Sequence, residues 1–110
     1  YQNVDIFNST IQEASEILQY NIVDIIKDKS KLNDTRYTQP IVVAVSIAMW
    51  NTWIINNEDQ PKCAAGHSLG EYSALVASGI ISFSDCLNLV KERALMMIDA
   101  MNIINNYLKL

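Results

Sequence analysis

One pentapeptide of this sequence has the residue types and the spacing of a catalytic serine site. Gly66-His67-Ser68-Leu69-Gly70 matches the pattern G-x-S-x-G, in which a short buried strand turns sharply into a helix and exposes the serine hydroxyl. The glycines remove Cβ atoms that would collide where the two backbones pass closely. The preceding segment, residues 61–65, is short and apolar enough to form the strand. Residues 71–77, followed by Gly79, have the pattern of a helix. The sequence therefore predicts that Ser68 is a nucleophile; the alternative is an ordinary Gly-Ser turn.

A nucleophilic serine also needs a base and a site for the oxyanion. Its hydroxyl is nearly inert at neutral pH unless a base, usually histidine, lies within hydrogen-bond reach. His67 is the one histidine of the sequence, but neighbouring side chains diverge in such a turn. We therefore expect His67 to pack or to hydrogen-bond rather than to act as the base. The backbone N–H of Leu69, directly after the serine, is the expected oxyanion donor.

The composition is that of a packed globular chain and argues against several classes of protein. Half of the 110 residues are hydrophobic and 18% are charged, which favours a folded core over disorder. The net charge of −4, with lysines and arginines scattered singly, leaves no basic face for a nucleic acid. Cys63 and Cys86 show no pairing pattern and no metal-ligand spacing, so we expect two reduced structural thiols, the first in a buried strand, and no metal site. Because the sequence begins at Tyr1 rather than Met, we expect it to derive from a longer chain.

Three helices are predicted to frame the serine segment. The stretch Ile41–Ile55 is apolar on nearly all sides but shorter than the ~20 residues of a membrane span, so it is predicted to be a buried helix with Pro40 in its first turn. A helix from Phe83 to Leu108 is predicted to face the core along its length, because Ser82-x-x-Asp85 is a capping box and the apolar residues after it keep 4-3 spacing. Near the start, an amphipathic helix carries one apolar stripe: Phe7, Ile11, Ala14 and Leu18.

The serine segment also resembles a known family. Residues 66–75, continuing through Gly79 to Arg93, resemble the nucleophile segment of the malonyl-CoA:acyl-carrier-protein transacylases. Upstream, Thr38-Gln39-Pro40 at the start of a long apolar stretch resembles the same family, and the likeness runs from about Val4 to about Met97. The elbow is shared with the acyltransferase domains of polyketide and fatty-acid synthases.

This resemblance implies an α/β fold. The chain would be one partial acyltransferase domain over residues 1–110, a fragment of the large α/β-hydrolase-like domain, mostly helical with one clear strand before the elbow. Residues 98–110 depart from the family, which has a short Pro/Gly-containing connection there, and are predicted to be a diverged helical tail. The family's base histidine would lie beyond Leu110 and its second oxyanion donor before Tyr1. We therefore expect the 110 residues alone to be inactive.

The resemblance also implies a reaction. Ser68 would take a malonyl group from malonyl-CoA and pass it, as an acyl-enzyme, to the phosphopantetheine thiol of acyl carrier protein in fatty-acid biosynthesis, with no cofactor of the enzyme's own. Arg93 would pair with the malonyl carboxylate, since a guanidinium offers two parallel donors; the alternative is a surface arginine paired with Glu92 or Asp85. Gln39 would line the same pocket, or else satisfy backbone groups at the start of a helix.

Two other functions stay open from the sequence alone. A serine hydrolase or thioesterase would use the same elbow and pass the acyl group to water instead of a thiol. A non-catalytic remnant would only bind partners. The resemblance itself implies a cytoplasmic enzyme, monomeric when complete, whose partners are malonyl-CoA and acyl carrier protein, without nucleic acid or membrane.

Overall fold

The structure, a computed structural model, describes residues 2–109, and its regular elements are helices. In chain order these are α1 Gln2–Leu18, α2 Ile22–Lys27, α3 Lys29–Leu32, α4 Thr35–Ile55, α5 Leu69–Ala77 and α6 Phe83–Leu108. Residues 2–109 contain no β-strand. The predicted α/β fold with one clear strand before the elbow is therefore wrong for the described chain, whereas the prediction of a mostly helical chain is confirmed.

The segment expected to form the strand, residues 61–65, is irregular and exposed. A strand is stabilised by backbone hydrogen bonds to a neighbouring strand, and residues 2–109 contain none to pair with it. An apolar composition over five residues favours an extended backbone but cannot supply that neighbour. Cys63, expected inside a buried strand, is exposed for the same reason.

α4 is the central helix, because α1, α5 and α6 all pack against it. Its N-cap is Asp34, whose side chain accepts a hydrogen bond from the Arg36 N–H. The helix consequently begins at Thr35, and Pro40 lies in the second turn rather than in the first, where the sequence placed it. A proline at this depth removes one backbone hydrogen bond of the helix, and the complete burial of its ring offsets that loss.

Only one face of α4 is covered. Val42 is 46% exposed, Met49 61% and Trp53 45%, so the prediction of a helix covered on most sides is wrong within the described residues. α4 is long and apolar enough to cross a membrane by length and composition, but the core helix of a soluble protein passes the same test. The covered face carries the buried residues Gln39, Pro40, Ile41, Val43, Ala44, Ile47 and Ala48.

The predicted first and last helices are both present, but α6 is buried over only part of its length. In α1, Ala14 and Leu18 are buried as predicted, and they join the same core as buried residues of α4 and α6. α6 begins after Ser82, whose hydroxyl accepts a hydrogen bond from the Asp85 N–H. Its buried residues end at Ala94, and the large apolar residues that follow are exposed except Ile98, which is half-buried. The prediction that this helix faces the core throughout is therefore wrong for its second half within the described chain.

Candidate functional site

The backbone at Ser68 has the conformation of a sharp turn into a helix. Ser68 is the N-cap residue of α5, with φ 58° and ψ −116°, and it is one of two non-glycine residues with positive φ in the described chain. This backbone conformation costs a non-glycine residue about 1–3 kcal/mol and persists only where the surrounding structure imposes it. Within residues 2–109 the Ser68 side chain makes no capping hydrogen bond to α5. Its hydroxyl is therefore free for other partners.

The two glycines of the pentapeptide have different roles. A Cβ atom on Gly66 would lie 2.0 Å from the carbonyl oxygen of Gly70, so only glycine allows the incoming chain to pass the first turn of α5. A Cβ atom on Gly70 would meet no atom within 4 Å in the described chain. The expectation that glycine prevents a backbone collision is confirmed at Gly66 and not at Gly70.

Arg93 and Ser68, 25 positions apart in the sequence, meet at the start of α5. The guanidinium Nη2 of Arg93 donates a hydrogen bond of 3.2 Å to Ser68 Oγ. A guanidinium can only donate, so the oxygen accepts and the Ser68 O–H stays free to donate to a base. Arg93 is half-buried, and the only ion pair in residues 2–109 joins Arg36 to Asp34. The alternative of a surface arginine paired with an acidic neighbour is not what the structure shows.

Gln39 lies on the other side of the same guanidinium. Its Oε1 accepts a 2.6 Å hydrogen bond from Arg93 Nη1, and Gln39 itself is buried. Because α4 begins at Thr35, Gln39 is inside the helix and its side chain bonds to other side chains. It does not satisfy backbone groups at a helix start. The structure thus brings three of the four predicted site residues, Ser68, Arg93 and Gln39, into one hydrogen-bonded chain.

The sequence alone did not predict two further contacts of these hydrogen-bonded side chains. The Arg93 guanidinium carbon lies 5.5 Å from the centroid of the Tyr72 ring, within the range of a cation–π interaction. Tyr72 follows Ser68 by four residues, which is the spacing that puts two residues on one side of a helix, and this spacing could have drawn attention to it. The Gln39 Nε2 donates to Thr35 Oγ1 at 2.8 Å, again across four residues.

Leu69, the fourth predicted site residue, is the first residue of α5. Its backbone N–H has no acceptor inside the helix, because the first N–H groups of a helix lie beyond the reach of the i→i−4 bonds. This N–H follows Ser68 directly, at the helix end that carries partial positive charge. The role of this N–H as the oxyanion donor stays a prediction.

His67 is exposed, and its backbone carbonyl accepts a hydrogen bond from the Gly70 N–H. Among residues 2–109 the only side chain hydrogen-bonded to Ser68 is that of Arg93. The expected packing or hydrogen-bonding role of the imidazole is thus not seen in the described residues. A base at Ser68 is likewise not supplied by them.

Comparison with known proteins identifies the family. Residues 1–104 match the family described as the acyl transferase domain. The chain belongs to the acyl transferase domain family. The malonyl CoA-acyl carrier protein transacylase of Buchnera aphidicola subsp. Schizaphis graminum is 42% identical to it over 95 residues, which are 84% of this chain and 31% of that protein.

Solved structures agree with this acyl transferase domain in fold. An acyl carrier protein S-malonyltransferase from Vibrio cholerae is 42% identical, with a TM-score of 0.82 over 87% of this chain and 32% of that one. A malonyl-transacylase in complex with its type II PKS acyl-carrier protein is 39% identical, with a TM-score of 0.82 over 87% of this chain and 32% of its own. The chain spans about a third of the length of the relatives it matches.

Among residues 2–109, neither thiol of this acyl transferase domain makes a hydrogen bond to Ser68. The thiol of Cys86 is buried in α6, and burial raises its pKa, which keeps it in the unreactive protonated form. Cys63 is exposed in the irregular segment before the elbow. Residues 2–109 hold no cluster of three or more His, Cys, Asp or Glu side chains suited to a metal ion.

Proposed function

We propose that the protein carrying this sequence transfers a malonyl group from malonyl-CoA to the phosphopantetheine thiol of acyl carrier protein, with Ser68 as nucleophile. The observation that carries the proposal is the 3.2 Å contact between Ser68 Oγ and the Arg93 guanidinium, which has no carboxylate partner among residues 2–109. A nucleophile beside a guanidinium that has no carboxylate partner suits an acyl group that ends in a carboxylate. The names of the relatives described above agree with this assignment.

Arg93 selects the substrate in this proposal. The malonyl carboxylate takes the place of Ser68 Oγ as acceptor for the guanidinium, which can bind it through two parallel N–H donors. Gln39 and Tyr72 keep the guanidinium beside the serine while the acyl group enters. An acetyl group has no carboxylate and gains nothing from Arg93.

The acyl group is then transferred in two steps. Ser68 Oγ bonds to the thioester carbonyl carbon while a base removes the hydroxyl proton, and the oxyanion is stabilised by the Leu69 N–H. The carbon–sulfur bond breaks, and coenzyme A leaves with a proton as the free thiol. The phosphopantetheine thiol next attacks the ester carbon, and Ser68 regains its proton as the new thioester forms.

Two parts of the proposal lie outside the site geometry. The base that activates Ser68 comes from outside residues 2–109, since the described residues provide none at its hydroxyl. The protein acts in the cytoplasm, in fatty-acid biosynthesis, and acyl carrier protein is its partner. The relative solved in complex with its acyl-carrier protein supports this choice of partner.

The test is acyl labelling of the intact protein. Brief exposure to malonyl-CoA should leave a malonyl ester on the peptide that contains Ser68, detected by mass spectrometry, and Ser68→Ala should abolish it. Ser73→Ala, a serine of the same peptide, and Cys63→Ser, an exposed thiol, should label like the wild type. A label on Cys63, or none on a folded protein, would refute the assignment. Release of the ester to water rather than to the carrier thiol would favour a hydrolase.

A further inference from the structure

Gln39 is buried, and both ends of its side-chain amide make hydrogen bonds. Its Oε1 accepts from Arg93, which can only donate, and this fixes which end of the amide faces the guanidinium. The two protons on Nε2 then point away from Arg93, toward Thr35 Oγ1 at 2.8 Å and Met97 Sδ at 3.3 Å. Of these two acceptors, the hydroxyl oxygen is the stronger, since a thioether accepts weakly.

The position of Thr35 is set by the start of α4. Asp34, the N-cap, accepts from the Arg36 N–H, and its carbonyl accepts from the Thr38 hydroxyl at 3.0 Å. The Thr38 hydroxyl is also in contact with the Leu32 carbonyl, at the end of α3. These bonds hold the first turn of the helix in place, and with it the Thr35 hydroxyl, one turn before Gln39.

From this geometry we infer that Thr35 is a positioning residue for malonyl selection. Its hydroxyl anchors the Gln39 amide, and the amide in turn holds the Arg93 guanidinium beside Ser68. The inference rests on the proposed function, because it assigns to Thr35 an effect on the binding of an acyl carboxylate. Without the hydroxyl, Gln39 Nε2 keeps only the sulfur of Met97 as acceptor, so the amide plane can rotate and Arg93 loses its fixed orientation.

The first experiment compares Thr35→Val with Thr35→Ser in the intact protein. Valine keeps the shape of threonine but removes the acceptor, whereas serine keeps the hydroxyl. Thr35→Val should lower kcat/KM for malonyl transfer about fivefold, mainly through KM, and change acetyl transfer less than about twofold, as expected when a buried donor loses its main partner. Thr35→Ser should restore malonyl transfer. Equal losses for both acyl groups, or a valine variant that behaves like the wild type, would overturn the inference.

A second measurement does not depend on turnover. In a ¹⁵N-resolved NMR spectrum, the Gln39 side-chain NH₂ protons should exchange slowly with water in the wild type and in Thr35→Ser, and faster in Thr35→Val. The Arg93 Nε–H resonance should shift in the valine variant only. If the wild type fails to form a malonyl ester but these NMR differences appear, the proposed function is wrong and the positioning contact stands. If the ester forms and the NMR differences are missing, the role of Thr35 is wrong.

Discussion

Replacement of Gly66 by alanine should both destabilise the elbow and impair acyl transfer. The added Cβ would lie 2.0 Å from the Gly70 carbonyl oxygen, 2.2 Å from its carbon and 2.7 Å from the Glu71 nitrogen. These are backbone atoms of α5, so no side-chain rotation relieves the collision. Ordinary contact begins at 3.4 Å, so the two backbones would have to separate by about 1.4 Å, from 2.0 to 3.4 Å.

Two consequences of that shift can be measured. Inserting one carbon into a packed site typically costs about 1–3 kcal/mol, and a collision between backbones should fall at the upper end. Because Ser68 lies between Gly66 and α5, the hydroxyl should be displaced by about 1 Å, which typically lowers the rate of a positioned reaction about 100-fold. Urea denaturation of the intact protein gives the first quantity, and the initial rate of malonyl ester formation gives the second.

Gly70→Ala is the matched control, since it adds the same atom in the same pentapeptide. Its Cβ meets nothing within 4 Å in the described chain, and the position lies in the first turn of α5. Alanine is a better helix former than glycine, so stability should stay equal or rise by up to about 1 kcal/mol. If the two variants lose the same stability and the same activity, the close backbone passage at Gly66 is not what positions the serine.

Four further predictions follow from the site and the core. Arg93→Ala should lower malonyl transfer about 10- to 100-fold, the loss of a charge-assisted bond, while acetyl transfer stays equal or improves; equal losses for both would point to a structural arginine. Tyr72→Leu should raise KM for malonyl-CoA a few fold, whereas Tyr72→Phe, which keeps the ring over the guanidinium, should resemble the wild type. Burial, with a smaller contribution from Tyr37, raises the pKa of Tyr20 to about 12. Below about pH 10 the Tyr20 hydroxyl is neutral in both the folded and the unfolded chain. Between about pH 10 and 12 it ionises first in the unfolded chain, so the free energy of unfolding falls as the pH rises, and Tyr20→Phe should show a smaller loss in alkaline urea titrations. Residues 1–110 alone should show no malonyl transfer in a carrier-protein assay even with Ser68 intact, and measurable turnover would require a base within this chain.

Local sequence signals predicted the parts of the fold that depend on local interactions. The capping serine at position 82 and the 4-3 spacing predicted α6 with its observed bounds, and the apolar stripe predicted α1. Gly79, with φ 75°, follows the end of α5 as predicted, because the left-handed backbone conformation that often ends a helix strongly favours glycine. The G-x-S-x-G pattern likewise located the turn at Ser68, since backbone crowding at Gly66 is a property of a few adjacent residues.

The packing of distant segments decided the rest. Residues 61–65 have the composition of a strand, but a strand exists only beside another, and the described chain offers none. α4 carries apolar residues on its exposed side as well as on its buried side, and the second half of α6 is rich in apolar residues although none of its described residues is buried. Periodicity shows which residues are apolar and not what lies against them.

The site divides in the same way. The sequence by itself determined that Ser68 stands at a sharp turn with the Leu69 N–H beside it, because both follow from one short segment of chain. Only the tertiary structure decided that Arg93 contacts Ser68, 25 positions away in the sequence, and Gln39, 54 positions away. Those contacts exist only where α4, α5 and α6 pack together. The residue type determines the chemistry of a side chain. The packing of the helices determines which other side chain lies within hydrogen-bond distance of it.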